Sequence, residues 1–170
     1  MAPCRGELSA RAPWAWRSPR TEVQAVIVPI GGLISGIAMA VKSMVPGVKV
    51  IGVDSSGAPA MKRGIEAGKL VTLDKVDCII DGLTVKTCGT LNFSVVQRFV
   101  DDIVTLPDSQ IFEGLIWTMS HCKIVPEGAA AAPIAALLQE KVDLPQGTKV
   151  ACVVSGGNLD LDQLKGLKWN

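Results

Sequence analysis

Two glycine-bearing junctions carry the residues best suited to chemistry. At the first, "VPIGGLISGIA" (residues 28–38), a buried-strand pattern passes through Gly31-Gly32 into a helix. At the second, Ser155-Gly-Gly-Asn158 follows the apolar run Thr148–Val154. Glycines at such a bend expose backbone N–H groups, and a helix N-terminus adds partial positive charge, so either junction suits a phosphate or a carboxylate. A plain turn explains the same residues, and residue types alone leave the two readings open. Neither junction has dinucleotide or Walker spacing: "GGLISG" is not GxGxxG, and GxxxxGK[ST] is found nowhere in the chain. A dehydrogenase of that kind and a nucleotide-triphosphate enzyme are therefore disfavoured. The one histidine, His121, stands beside Cys122. Two residues make no metal centre and no third group orders them as base and nucleophile; a surface histidine ending a helix is the simpler reading.

These junctions need elements to position them. Strands are expected at Gln24–Val28, Val48–Val53, Ile103–Leu106 and Thr148–Val154, because each is apolar and largely without polar alternation. Between them the spacing predicts helices over Leu33–Met44, Ala60–Ala67 (after Pro59, with Gly68 past its end), Leu91–Val100, Asp108 to about His121, and Glu127–Glu140. Asp108 is the expected N-cap of its helix, and Pro133 should kink or break the one it lies in. Asp77–Ile80 is short and apolar, and a last short helix follows Asn158. Continuous apolar strands separated by helices mean a three-layer α/β fold, a parallel sheet with helices on both faces. Such sheets bind ligands beyond the carboxyl ends of their strands, where both glycine junctions lie.

The 170 residues suffice for one domain, with 48% apolar and 19% charged side chains. A formal charge of +1 gives no electrostatic case for nucleic acid. Five cysteines without CxxC spacing fit a reducing compartment, with Cys78 and Cys152 as core thiols. Val23–Val41 carries no charge, but Pro29 and Gly31-Gly32 divide it into strand and helix, which argues against a membrane span. Residues 1–20 hold four arginines, one acid, two tryptophans and three prolines. That composition fits a disordered or atypical tail over residues 1–22 better than a mitochondrial presequence, since proline opposes a targeting helix. A cytoplasmic location is the expectation.

Six stretches occur here in the order found in the serine/threonine dehydratases: "VPIGGLISGIA", "VKVIGVDSSGAPAM", "DGLTVKTCGTLNF", "VDDIVTLPDSQI", "EGAAAAPIAALL" and "VVSGGNLDLDQL". Residues 23 to about 165 thus resemble the C-terminal half of these pyridoxal-phosphate enzymes of the tryptophan-synthase-β fold type, a group that includes serine racemase. The resemblance makes residues 23–170 the C-terminal part of the large α/β domain. It implies pyridoxal 5'-phosphate as cofactor, a small amino acid as substrate, and loss of water to give a 2-oxo acid and ammonia. It assigns phosphate binding to the amides of Gly31, Gly32 and Leu33, and the cofactor's ring nitrogen to Ser155, with Gly156 allowing close approach. Glu127 matches an acid near the cofactor. Ser155 as N-cap of the last helix, and Glu127 as a charge favoured in a first helical turn, are the alternatives.

Three departures qualify the resemblance. The family's glycine loop usually has four glycines, and this chain has two. Some relatives bind a divalent cation through an acid matching Asp54, but Ala60 replaces its companion, so no metal site is expected. The family's Schiff-base lysine lies in a Ser-x-Lys-x-Arg segment before the glycine loop; only the tail precedes the loop here, without a lysine. No residue of this chain is therefore assigned a catalytic role. The expectation is a truncated, inactive ammonia-lyase that seeks a homo- or hetero-oligomeric partner; a non-catalytic modulator of a full-length relative, or a serine racemase-type fragment, is the alternative.

Overall fold

The computed structural model describes residues 22–165; the tail expectation for residues 1–22 lies almost wholly outside them. The chain runs β1 (Ala25–Pro29), α1 (Gly32–Met44), β2 (Lys49–Ser55), α2 (Ala60–Ala67), α3 (Thr90–Phe99), β3 (Asp102–Leu106), α4 (Asp108–Cys122), α5 (Gly128–Leu138), β4 (Val150–Cys152) and α6 (Leu161–Lys165). The strand pairings within the sheet are all parallel and the strand order is β3-β2-β1-β4. Every residue of β1 is buried, as the absence of polar alternation required.

The pleat divides the core in two. Val26, Val28 and Val50 point to one face, where Ile34, Ile37 and Val41 of α1 meet Phe93 and Val96 of α3. Ile27, Ile51 and Val53 point to the other, against Ile111 and Leu115 of α4 and Ala131, Ala132 and Ala135 of α5. Helices thus cover both faces of one parallel sheet, the three-layer α/β arrangement expected. Val23–Val41 is divided into β1 and α1, and among the described residues no helix is long and apolar enough to cross a membrane.

Local signals set most boundaries. Pro59 precedes α2, and Gly68 ends it in the left-handed region at φ 64°. Two expectations need correction. Asp108 does not cap α4: Pro107 is the N-cap and no side chain bonds there. Its carboxylate instead accepts from Ser55 Oγ (2.9 Å) and the Ile79 amide (2.7 Å), tying α4 to the end of β2 and to the 77–80 segment. Pro133 does not break α5, which runs through it to Leu138. Residues 128–133 are all buried against the sheet and α4, and that packing outweighs one lost helical hydrogen bond.

Candidate cofactor site

The two glycine junctions leave neighbouring strands at the same end of the sheet. β1 pairs with β4 through Ala25↔Val150, Val26↔Ala151 and Ile27↔Cys152, and the Val153 amide donates to Ile27 O at 3.0 Å. Parallel strands lie about 4.8 Å apart, so the chain segments that lead from β1 to Gly31 and from β4 to Ser155 leave the sheet as neighbours. The chain leaving β1 enters α1 on one face of the sheet. The chain leaving β4 packs Leu159 and Leu164 onto the other. Adjacent strands whose continuations turn to opposite faces create the crevice in which such sheets hold ligands.

At the β1 end, the Ile30 amide donates to Val53 O at 2.9 Å, fixing where the chain departs from the sheet. Gly31 then adopts φ 140°, ψ −157°, a conformation almost confined to glycine. It is the N-cap of α1; no side chain caps the helix, and its first turn has no acid. The first amides of a helix have no partner within it, so those of Gly32, Leu33 and Ile34 remain for a ligand. A Cβ on Gly31 would meet nothing within 4 Å, so the space beside it is open.

That space belongs to a cavity of about 260 Å³ lined by Gly31, Gly32, Asp54, Gly82, Cys88 and Asn92 among mostly apolar neighbours. Gly82, at φ 84°, was not singled out from sequence. The Asp81-Gly82 pair is its signal in the sequence, since "DG" marks such turns. A Cβ there would stand 3.1 Å from Ala129 Cβ and 4.0 Å from Glu127 Oε1. Gly82 therefore borders both the cavity and the Glu127 cluster.

At the β4 end, Glu127 acts across the gap between elements. As N-cap of α5 its carbonyl accepts from the Ala131 amide (3.1 Å), but its side chain makes no capping bond to that helix. Its amide donates to Gly156 O (2.9 Å) and its Oε2 accepts from the Asn158 amide (3.3 Å). The carboxyl group fills the place of a Gly156 side chain, whose Cβ would fall 2.3 Å from it. Glu127 thus holds the Ser155–Asn158 turn rather than serving as a charge in its own first turn. Ser155 is exposed and does not cap α6; Asp160 Oδ1 accepts from the Asp162 amide there at 2.9 Å. Gly31, Gly32 and Leu33 are thus gathered at one strand end, and Ser155, Gly156 and Glu127 at its neighbour's. Gly156→Ala is expected to expel the flexible Glu127 carboxyl at a cost of about 1 kcal/mol. Hydrogen exchange would then run roughly fivefold faster at the Asn158 amide, by that same loss.

The remaining candidates fall elsewhere. His121 is exposed, with Nδ1 3.0 Å from Trp117 O and its ring stacked on Trp117 at 4.4 Å. Among the described residues no three His, Cys, Asp or Glu side chains group as metal ligands. Cys78, Cys88, Cys122 and Cys152 are free thiols; burial pushes Cys88 and Cys152 up to about 11.

Residues 13–156 match the sequence profile of the family described as pyridoxal-phosphate dependent enzyme. The L-threonine ammonia-lyase of Thermotoga maritima is 39% identical over 145 residues, which cover 84% of this chain and 36% of that one. The catabolic L-threonine dehydratase of Escherichia coli K12 is 40% identical over 146 residues, covering 84% and 44%. Among solved structures, maize serine racemase superposes with TM-score 0.78 at 33% identity, over 85% of this chain and 47% of that one. The T.th. threonine deaminase gives 0.76 at 33%, over 81% and 50%. The chain spans a third to a half of the length of these relatives.

Proposed function

The chain belongs to the pyridoxal-phosphate-dependent enzymes, in their serine/threonine dehydratase branch, and on that premise we propose that it forms the phosphate- and ring-binding part of an ammonia-lyase acting on L-threonine or L-serine. The observation that carries this reading is the emergence of the Gly31-Gly32 bend and the Ser155–Asn158 turn from adjacent strands. The site fits the cofactor: a helix start with free amides, no competing acid in its first turn, and open space at the glycine.

Bound pyridoxal phosphate supplies an electron sink that acidifies the amino acid's α-C–H bond. The amides of Gly31, Gly32 and Leu33, aided by the α1 dipole, bind and orient the phosphate. Ser155 offers a neutral hydroxyl to the ring nitrogen and leaves it largely unprotonated, a weaker sink that favours elimination over transamination. Glu127 holds the turn that carries Ser155, and Gly82 lets the cavity wall approach the Glu127 carboxyl closely.

No Ser-x-Lys-x-Arg segment occurs among the 170 residues, and we assign none of their lysines as the base for the α-proton. By themselves, then, these residues bind the cofactor without turning substrate over. β4 ends the sheet with its outer edge unpaired among the described residues, and an added strand from a partner chain completes it. A racemase reading draws on the maize serine racemase likeness, which is as good as that to threonine deaminase. The test is equilibrium dialysis with pyridoxal phosphate, followed by assays of 2-oxo acid and D-serine. Retained cofactor that inorganic phosphate displaces, with no product above the cofactor-only rate, is expected. Failure to retain it would overturn the reading, and D-serine without 2-oxo acid would favour racemisation.

A further inference from the structure

Asp54 is an acid that the proposed binding role leaves unused. It ends the apolar β2 run, is 2% exposed, and lines the same cavity as Gly31 and Gly32. One oxygen, Oδ1, accepts from the Ser55 amide at 2.9 Å. The other, Oδ2, is buried without a hydrogen-bond partner, and so is Asn92 Oδ1 on the same cavity. A buried ionised carboxylate with an unmatched oxygen costs free energy that a neutral acid does not.

Among the described residues no cation offsets that charge. In the cavity wall the only titratable neighbour among the described residues is Cys88, whose thiol Asp54 itself pushes further up. From α1 the cavity receives only glycine backbone, and from α3 the neutral Asn92. Across the sheet Asp54 pairs with Thr105. From α2 come the amides of Met61 and Lys62, which favour the charged form without giving Oδ2 a bond. The Lys62 ammonium instead reaches Ile103 O at 2.6 Å and stands 3.9 Å from Asp102. Burial outweighs these amides and pushes the Asp54 carboxyl up to about 7.

A phosphate dianion held at the Gly31-Gly32 bend brings a second anion into this cavity, and two anions in one poorly solvated space do not both stay ionised. We propose that Asp54 is a positioning residue for the phosphate cradle, carrying a proton on Oδ2 whenever a dianionic phosphate occupies the cavity, so that phosphate binding takes up one proton from solvent. The proton turns the unmatched acceptor into a donor, for which a phosphate oxygen and Asn92 Oδ1 are the available acceptors. No other bond forms or breaks. The inference rests on the phosphate reading above and deepens it.

The sign follows from linkage. With only the protonated form competent, affinity is flat just below pH 7 and falls tenfold per unit above it, about fifty-fold from pH 7 to 9. The test titrates the wild-type chain and Asp54→Asn with pyridoxine 5'-phosphate, which has no aldehyde to react with lysines. Calorimetry at pH 8 in buffers of different ionisation enthalpy counts the protons taken up. Titration of the probe's ring is common to both proteins and cancels. Wild type is expected to take up close to one proton more than Asp54→Asn, whose affinity loses the fall above pH 7. Equal uptake with parallel pH profiles would overturn the inference and leave the phosphate reading standing. No binding by wild type at any pH would overturn both. Should Asp54→Asn not fold, wild type titrated with phenyl phosphate, already dianionic above pH 7, decides alone: one proton taken up supports the proposal and none overturns it.

Discussion

Gly31→Val abolishes most phosphate binding in a chain that still folds. A Cβ at Gly31 meets no atom within 4 Å, so the substitution makes no clash. The penalty is conformational: at φ 140°, ψ −157° a β-branched residue is strained by roughly 1–3 kcal/mol. The chain relieves that strain by rotating the peptides on either side, which swings the Gly31 and Gly32 amides away from the cavity. Each charge-assisted hydrogen bond lost costs about 1.5–3 kcal/mol, so affinity for pyridoxine 5'-phosphate falls by about ten- to a hundredfold per amide. Because rotation relieves most of the strain, about 1 kcal/mol of it remains and the melting temperature falls by only about 2–4 °C. Titration and thermal melting check the two parts separately; unchanged affinity would show that the bend is only a turn.

Gly114→Val produces the opposite pattern, a large loss of stability remote from the crevice. A Cβ at Gly114 would lie 2.6 Å from Ala135 Cβ, 2.8 Å from its Cα and 2.9 Å from its backbone nitrogen. Backbone cannot rotate aside as a side chain does, so α4 and α5 must separate. Leu115 and Ile111 beside it are fully buried, and separation opens the layer they fill. Overpacking of this kind costs typically 1–3 kcal/mol or more, or about 2–12 °C in melting temperature for a chain of this size. Ala135→Gly added to Gly114→Val restores part of the loss, since it removes the nearest atom but leaves the other two.

The sequence made the sheet legible where signals were local. Continuous apolar strands announced burial on both faces, and Pro59 and Gly68 framed α2 to the residue. What it could not announce was non-local. Nothing in Thr148–Val154 says that this strand lies beside β1 rather than β3, yet that placement brings the two glycine bends to neighbouring strand ends. Asp108 read as a cap because cap signals are local, whereas Ser55 and Ile79 come from distant segments. Glu127 likewise read as a charge on its own helix, while its amide and its carboxylate bond to the turn after β4. Pro133 read as a breaker because propensity ignores a helix face wholly buried among alanines.

The central claim is that the bends after β1 and β4 grip one ligand together. Amide chemical-shift mapping with pyridoxine 5'-phosphate tests it directly. The expected result is concerted, saturable shifts at Gly31, Gly32, Leu33, Ser155 and Gly156. Saturable shifts at the opposite end of the sheet, around Val45, Gly47 and Leu144, with Ser155 unmoved, would contradict it.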